Sequence, residues 1–283
     1  MKTIVMKKVF GRCLIAASVL ATLAPKTTQA QDEKKDDKKK PRKHEFYFSW
    51  GYNTEWYTKS TISINQPSLG NNYQFVKITG KDNPGWTEDF FHKNLTIPQY
   101  NYRIGMIINK EKGWGAEINF DHTKFVFTDG ETAHMKGTYQ GRQVDSMVVF
   151  SEKNGDFYYL NNGANFLLFN ITKRWHLLGK YSKNFKLDGY GKFGIGPVIP
   201  HVQNSLFFQK NDPDFQFGGW NTGLEGTLKA TFFKYVFLEY CNKVDYARYS
   251  NLQVYQGHAK QAFGTYEMIL NLGITFPVGK REK

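Results

Sequence analysis

From Tyr266 to Phe276 every second residue is large and apolar: Tyr266, Met268, Leu270, Leu272, Ile274 and Phe276. Between them stand Glu267, Ile269, Asn271, Gly273 and Thr275. A period of two places the first set on one face of a β-strand and the mostly polar set on the other. A half-buried strand of a water-soluble sheet needs only about five or six such residues. This run is longer, and it matches the roughly 9–11 residues with which a tilted strand crosses a bilayer.

The same alternation recurs seven times upstream. Phe46, Phe48, Trp50 and Tyr52 oppose Tyr47, Ser49, Gly51 and Asn53. Tyr100, Tyr102, Ile104, Met106 and Ile108 oppose Gln99, Asn101, Arg103 and Gly105. Ala116, Ile118 and Phe120 oppose Glu117, Asn119 and Asp121. A less regular fourth run, 167–177, puts Leu167, Phe169, Ile171, Trp175 and Leu177 outward, interrupted by Lys173, with Asn170, Thr172, Arg174 and His176 opposite. The fifth spans about 185–199, with Phe193 and Ile195 against Lys186, Asp188, Tyr190 and Lys192. Trp220, Leu224, Leu228 and Ala230 then face away from Asn221, Glu225 and Lys229, and Val236, Leu238, Tyr240 and Val244 away from Glu239, Cys241, Lys243 and Asp245. Eight strands follow.

The spacing between the runs agrees. Connections at 58–93 and 128–156 are long, those at 109–112, 179–184 and 232–235 short, and those at 203–214 and 251–261 intermediate. Short turns alternating with longer loops are the habit of outer-membrane barrels. The expected fold is therefore all-β, an eight-stranded antiparallel up-and-down transmembrane barrel. A lipocalin-like barrel would hide the apolar face inside and turn the polar set to water. Here the apolar set is bulkier and more aromatic than eight strands enclose, so it belongs outside.

Composition changes three details. The 283 residues include 24 Phe, 17 Tyr and 6 Trp, as interfacial girdles require, while mean hydropathy is −0.55 and no apolar run is long enough for a helical span. Residues 1–30 read as a signal peptide: Lys2, Lys7, Lys8 and Arg12, an apolar core from Cys13 to Leu23, and Thr28-Gln29-Ala30 before the cleavage point. The segment carries five of the bases behind the net charge of +13 and no acid. Residues 31–44, QDEKKDDKKKPRKH, read as a disordered charged periplasmic tail. What remains, a barrel over 45–277 and a tail over 278–283, is too nearly neutral to suggest a nucleic-acid binder. Only Cys241 survives processing, so no internal disulfide forms.

Inward parity sends Arg103, Arg174, Lys186, Lys192, Lys229 and Lys243 into the lumen together with Glu117, Asp121, Asp188, Glu225, Glu239, Asp245 and Glu267. Six bases against seven acids suit a plug of paired charges better than an ion-selective pore, because an unpaired buried charge is costly.

Chemistry has few footholds. Gly189-Tyr190-Gly191-Lys192-Phe193-Gly194 satisfies the dinucleotide-loop pattern but lies within a strand and precedes Pro197 and Pro200 instead of a helix. Bending and packing of strands is the better account. Asn94-Leu95-Thr96 and Asn170-Ile171-Thr172 match the N-glycosylation pattern, but the first falls at a strand start and the second within a strand. No cofactor or metal is expected. Lipid A deacylases carry a histidine and a serine two residues apart on one strand face, and none of the seven histidines precedes a serine at that spacing. Asp121-His122 is the first candidate pair for chemistry, yet neighbours on a strand point to opposite faces.

The runs FYFSWGYN (46–53), IPQYNYRIG (97–105), the DH of FDHTKF (120–125), DGYG (188–191) and ATFFKYVFLE (230–239) resemble small eight-stranded outer-membrane barrels of the OmpA/OmpX type. They are most similar to barrels of Bacteroidota. The resemblance implies a Gram-negative outer-membrane location, lipid and lipopolysaccharide as surroundings, and handling by the barrel-assembly machinery through the Tyr266–Phe276 strand. It implies no activity. The favoured role is non-enzymatic, structural in the envelope or surface-binding. The loops 58–93 and 128–156 would meet an extracellular ligand, the first of them and its approach carrying Trp56, Tyr57, Tyr73, Phe75, Trp86, Phe90 and Phe91. These aromatics serve equally to pack the loops together. The stretch 73–81, YQFVKITGK, is expected to extend strands above the membrane and leave an edge for a partner. The alternative is a lipid A-modifying enzyme, a deacylase or acyltransferase.

Overall fold

The computed structural model describes residues 42–85, 99–127, 129–160, 163–180 and 182–281. The signal segment, most of the charged tail, and Trp86, Phe90 and Phe91 lie outside them. In chain order the strands are β1 (Arg42–Tyr57), β2 (Ser60–Gln66), β3 (Asn71–Ile78), β4 (Tyr100–Asn109), β5 (Trp114–Asp121) and β6 (Phe125–Phe127). Then come β7 (Thr132–Tyr139), β8 (Arg142–Val149), β9 (Phe157–Leu160), β10 (Phe166–Leu178) and β11 (Phe185–Val198). The series ends with β12 (Gln203–Leu206), β13 (Gln209–Lys210), β14 (Gly219–Phe232), β15 (Val236–Val254) and β16 (Gly257–Arg281).

Eight of these close a ring in the order β1-β4-β5-β10-β11-β14-β15-β16, and β16 pairs back onto β1. Every pairing in it is antiparallel. Closure leaves the ring no free edge. At the seam Phe46 lies opposite Phe276, their rings 5.2 Å apart, and Trp50 lies opposite Leu272. The expected parity holds on each barrel strand. Leu270, Leu272, Ile274 and Phe276 of β16 are exposed on the outside while Glu267, Ile269 and Asn271 are buried. One hairpin, β14–β15, turns on Phe233 and Lys234, both at positive φ as a two-residue type I′ turn demands.

β1 already begins at Arg42 and β16 runs to Arg281, so the ladder takes in the end of the predicted tail and most of the predicted C-terminal tail. The larger correction concerns the loops. The intermediate connection expected at 251–261 is a hairpin whose turn is Tyr255-Gln256, because β15 and β16, 19 and 25 residues long, run on past the barrel. Their polarity inverts at Tyr246–Ala247. Below it the outward residues are apolar. Above it Ala247, Tyr249, Leu252, Val254, Ala259 and Phe263 are buried inside while Arg248, Ser250 and Lys260 are exposed. The apolar face turns inward where the outside becomes water.

The other loops build on this extension. β2 pairs with β16, then β3, β7 and β8 follow in turn, and β13-β12-β9-β6 form a second sheet. β3 is paired on both sides, so the edge expected at 73–81 is moved outward to β8. Ile62, Ile64, Tyr73, Phe75, Phe125, Phe127, Phe150, Tyr158 and Leu206 meet in a separate apolar core over the loop end of the barrel. Tyr73 and Phe75 thus pack the cap, while Trp56 stays half exposed on the outer face. Their clustering follows the same period-two rule as the barrel.

The cap buries a carboxylate. Asp156 is buried at 5% exposure, its Oδ1 accepting a 2.7 Å hydrogen bond from the backbone N–H of Phe207. Burial pushes this carboxyl above the usual carboxylate range, and the Phe207 N–H offsets part of the rise. A raised folded-state value means that the cap binds this proton more tightly than the unfolded chain. Its contribution is most favourable below about 3.9, the unfolded value, and is lost as pH rises through the folded value. Asp156→Asn keeps the acceptor and removes the charge. We expect cap amides in this variant to exchange more slowly at pH 7, by about 0.5–1 kcal/mol of opening free energy. Equal exchange in both proteins would contradict this.

Candidate functional site

The polar interior of the ring is the most elaborate arrangement in the molecule, and glycines make room for it. Gly105 on β4 lies opposite Tyr47 on β1, and a Cβ there would stand 2.2 Å from the tyrosine ring. Without it, Tyr47 reaches across to donate to Glu117 Oε2 at 2.7 Å. Gly273 leaves the equivalent space for Phe237.

Arg103, fully buried, is the hub. Its Nη1 donates to Glu225 Oε2 at 2.6 Å and to Glu117 Oε1 at 3.2 Å. Asp121 and Glu239 stand 3.8 Å from its Nη2 and Nε. Lys192 joins Glu117 at 2.7 Å and Glu225 at 3.0 Å. Asn271 and Ser49 donate to Glu239 at 3.0 and 3.3 Å, and Thr227 to Glu225 at 2.6 Å. A planar guanidinium with donors on three sides suits several carboxylates at once, as an ammonium does not.

Towards the loop end Lys243 gathers a second group: Asp121 in close contact, Asp245 at 2.9 Å and Glu267 at 3.5 Å. Towards the turn end Arg174 meets Glu45 at 3.0 Å and His176 meets Asp188 at 2.6 Å. Lys186 is half-buried at that mouth and outside the interior network. Lys229 departs from the expected pairing. Its Nζ has no hydrogen-bond partner among the described residues and lies 3.6 Å from the ring centre of Phe237 and 4.2 Å from that of Tyr47. The quadrupoles of these rings attract the cation in place of a carboxylate.

Sequence parity missed two acids that belong here. Glu45 and Glu55 lie on the inner face of β1, two residues beyond either end of the run recognised there. Extending the alternation would have found both. With them nine acids stand against the five bases other than Lys186, so the interior is less balanced than the sequence implied. The excess collects at the loop end, where Glu55 accepts from Asn53 at 2.8 Å and from the Tyr57 hydroxyl at 2.5 Å.

The other candidates come apart. Asp121 faces the interior against Lys243, whereas His122 stacks on Tyr100 with ring centres 4.7 Å apart and its Nδ1 2.8 Å from Asn165 Oδ1. They form no dyad. The glycine run 189–194 lies wholly within β11, where a Cβ on Gly194 would stand 2.1 Å from Asn170 Oδ1. These glycines serve strand contact. Asn170-Ile171-Thr172 is inside β10. Among the described residues no group of three or more His, Cys, Asp or Glu is arranged to hold a metal.

No family model and no curated protein sequence matches the chain. Among solved structures it is similar to the outer membrane protein OprG of Pseudomonas aeruginosa, with 11% identity over 85% of this chain and 99% of that one and a TM-score of 0.39. It is similar to the outer membrane protein AlkL at 10% identity, over 92% and 100% of the two chains, with a TM-score of 0.37. The attachment invasion locus protein Ail of Yersinia pestis, solved with the heparin analogue sucrose octasulfate, gives 12% identity, 83% and 99% coverage, and a TM-score of 0.30. What makes the chain a closed barrel is its own register, with β16 pairing back onto β1.

Proposed function

We propose that this chain is a non-enzymatic outer-membrane barrel, its interior sealed by paired charges and its cap presented at the cell surface. The observation that carries the reading is the outer face of the ring. Ile104, Ile118, Ile171, Ile195, Leu224, Leu228 and Leu272 are all 46–61% exposed there. A water-soluble monomer rarely shows so continuous an apolar surface. Aromatics border the band. Trp56, Tyr102, Trp220 and Tyr246 stand towards the loop end, and Trp114, Trp175, Phe185 and Phe276 towards the turn end. Ten residue steps from Tyr266 to Phe276, tilted as in such barrels, span about 25 Å, the height of the apolar band of an outer-membrane barrel.

The interior supports a structural role over a conducting one, since Arg103, Tyr47, Lys229 and Phe237 are fully buried across its middle. At the surface, β8 has a neighbour only in β7 among the described strands, and Met147 and Val149 are exposed on it. That makes the cap the face through which a partner would be met.

Sidedness tests the proposal. Cysteines introduced at Gln140, in the β7–β8 turn, and at Lys234, in the β14–β15 turn, are offered a membrane-impermeant maleimide on intact cells. Gln140→Cys is expected to label at once and Lys234→Cys only after the outer membrane is permeabilised. Labelling of both, or of neither, on intact cells would count against the placement. Unheated protein should also run differently from boiled protein on a detergent gel.

A further inference from the structure

The turn end of the barrel opens into a cleft of ≈ 520 Å³, within the size range of small-molecule sites. It is assembled from nearly the whole ring: β1, β10, β11, β14 and β16 contribute, as do the turns after β4, β10 and β14. Its mouth therefore faces along the barrel axis and not sideways. Arg174 pairs with Glu45, and the His176 ring is hydrogen-bonded to Asp188. Lys110, Lys180, Lys186 and Lys234 also line it, and with Arg174 they set five positive side chains against the three acids Glu45, Glu111 and Asp188. The Arg174 side chain is 4% exposed, and its Nε has no hydrogen-bond partner among the described residues. Thr231 adds a hydroxyl to the lining.

We propose that this cleft is a binding site for a soluble small molecule carrying phosphate groups. Four ammonium groups and a buried guanidinium N–H around a recess of this size match several anionic oxygens better than one carboxylate. The axial opening gives the ligand access from water and not from the lipid. In the outer-membrane reading that water is the periplasm. Only the compartment rests on that reading; the binding does not.

The test uses the full chain in a maltoside detergent, which carries no phosphate, at low salt, with sodium tripolyphosphate as the titrant in calorimetry. One site per chain is expected. Lys186→Gln with Lys234→Gln should weaken binding at least tenfold, because both lysines line the mouth and neither belongs to the interior ion-pair network. Lys59→Gln with Lys260→Gln, which removes the same charge from the cap end, should change it less than twofold. No saturable binding by the native chain would overturn the proposal, as would an equal loss in the two double variants. Citrate binding as tightly as tripolyphosphate would overturn the assignment to phosphate. A barrel that shifts on a detergent gel but fails to bind would sink this site and leave the fold untouched.

Discussion

Arg103→Leu should destabilise the barrel by about 3–5 kcal/mol, the cost of leaving buried charges without their partner. Glu117 and Glu225 lose the donor at 3.2 and 2.6 Å, and Asp121 and Glu239 lose the cation 3.8 Å away. Lys192 remains for the first two, but it is already engaged with both. Lysine at position 103 restores the charge and one direction of bonding, so Arg103→Lys should recover only part of the loss. Adding Glu225→Gln to Arg103→Leu removes one stranded charge and should also recover part of it. The measurement is the urea midpoint of refolded protein in detergent, with gel mobility as a second readout. An Arg103→Leu barrel as stable as the native one would mean that the four carboxylates are satisfied otherwise.

Phe150→Ala is expected to act on the cap alone. Phe150 is fully buried, 5.0 Å from the ring of Phe75 and 4.7 Å from that of Phe127, so it ties two sheets together. Truncating such a core phenylalanine costs about 3–5 kcal/mol. Because the cap has an apolar core distinct from the charged interior of the ring, the loss should appear as proteolysis within 58–85 and 122–165. The heat-induced gel shift of the barrel should persist. A variant that loses both together would show that ring and cap unfold as one unit.

The barrel was legible because lipid and a polar interior impose one rule on every strand. Alternation at Phe46–Asn53 and again at Tyr266–Phe276 marked the first and last strands and split each into two faces, and the structure joins these two at the seam. Most of the interior charges followed from that parity, though Glu45 and Glu55 escaped it and Lys186 stayed at the mouth. The pairings did not follow from it, since which acid reaches Arg103 depends on stagger around the ring and not on spacing along the chain. The cap was missed for a related reason. Ile62 and Ile64, or Tyr73 and Phe75, alternate like barrel residues, but they fall between long strands where a loop was expected. Above Ala247 the alternation of β15 also changes sign, and a reader looking for outward apolar residues sees the strand stop. The cleft at the turn end depended on Lys110, Lys180 and Lys234, which lie in turns where periodicity says nothing.

β16 has a consequence for the order of events during folding. It follows every other described strand in chain order, yet its lower part closes the ring on β1 and its upper part receives β2. Both of those partners lie about two hundred residues earlier, and contacts of such range are slow to form. Neither the ring nor the cap sheet has a complete template until this one strand arrives. Closure of the wall and docking of the cap are therefore committed by the same late step, and a chain interrupted before it leaves β1, β15 and β2 each with an open edge.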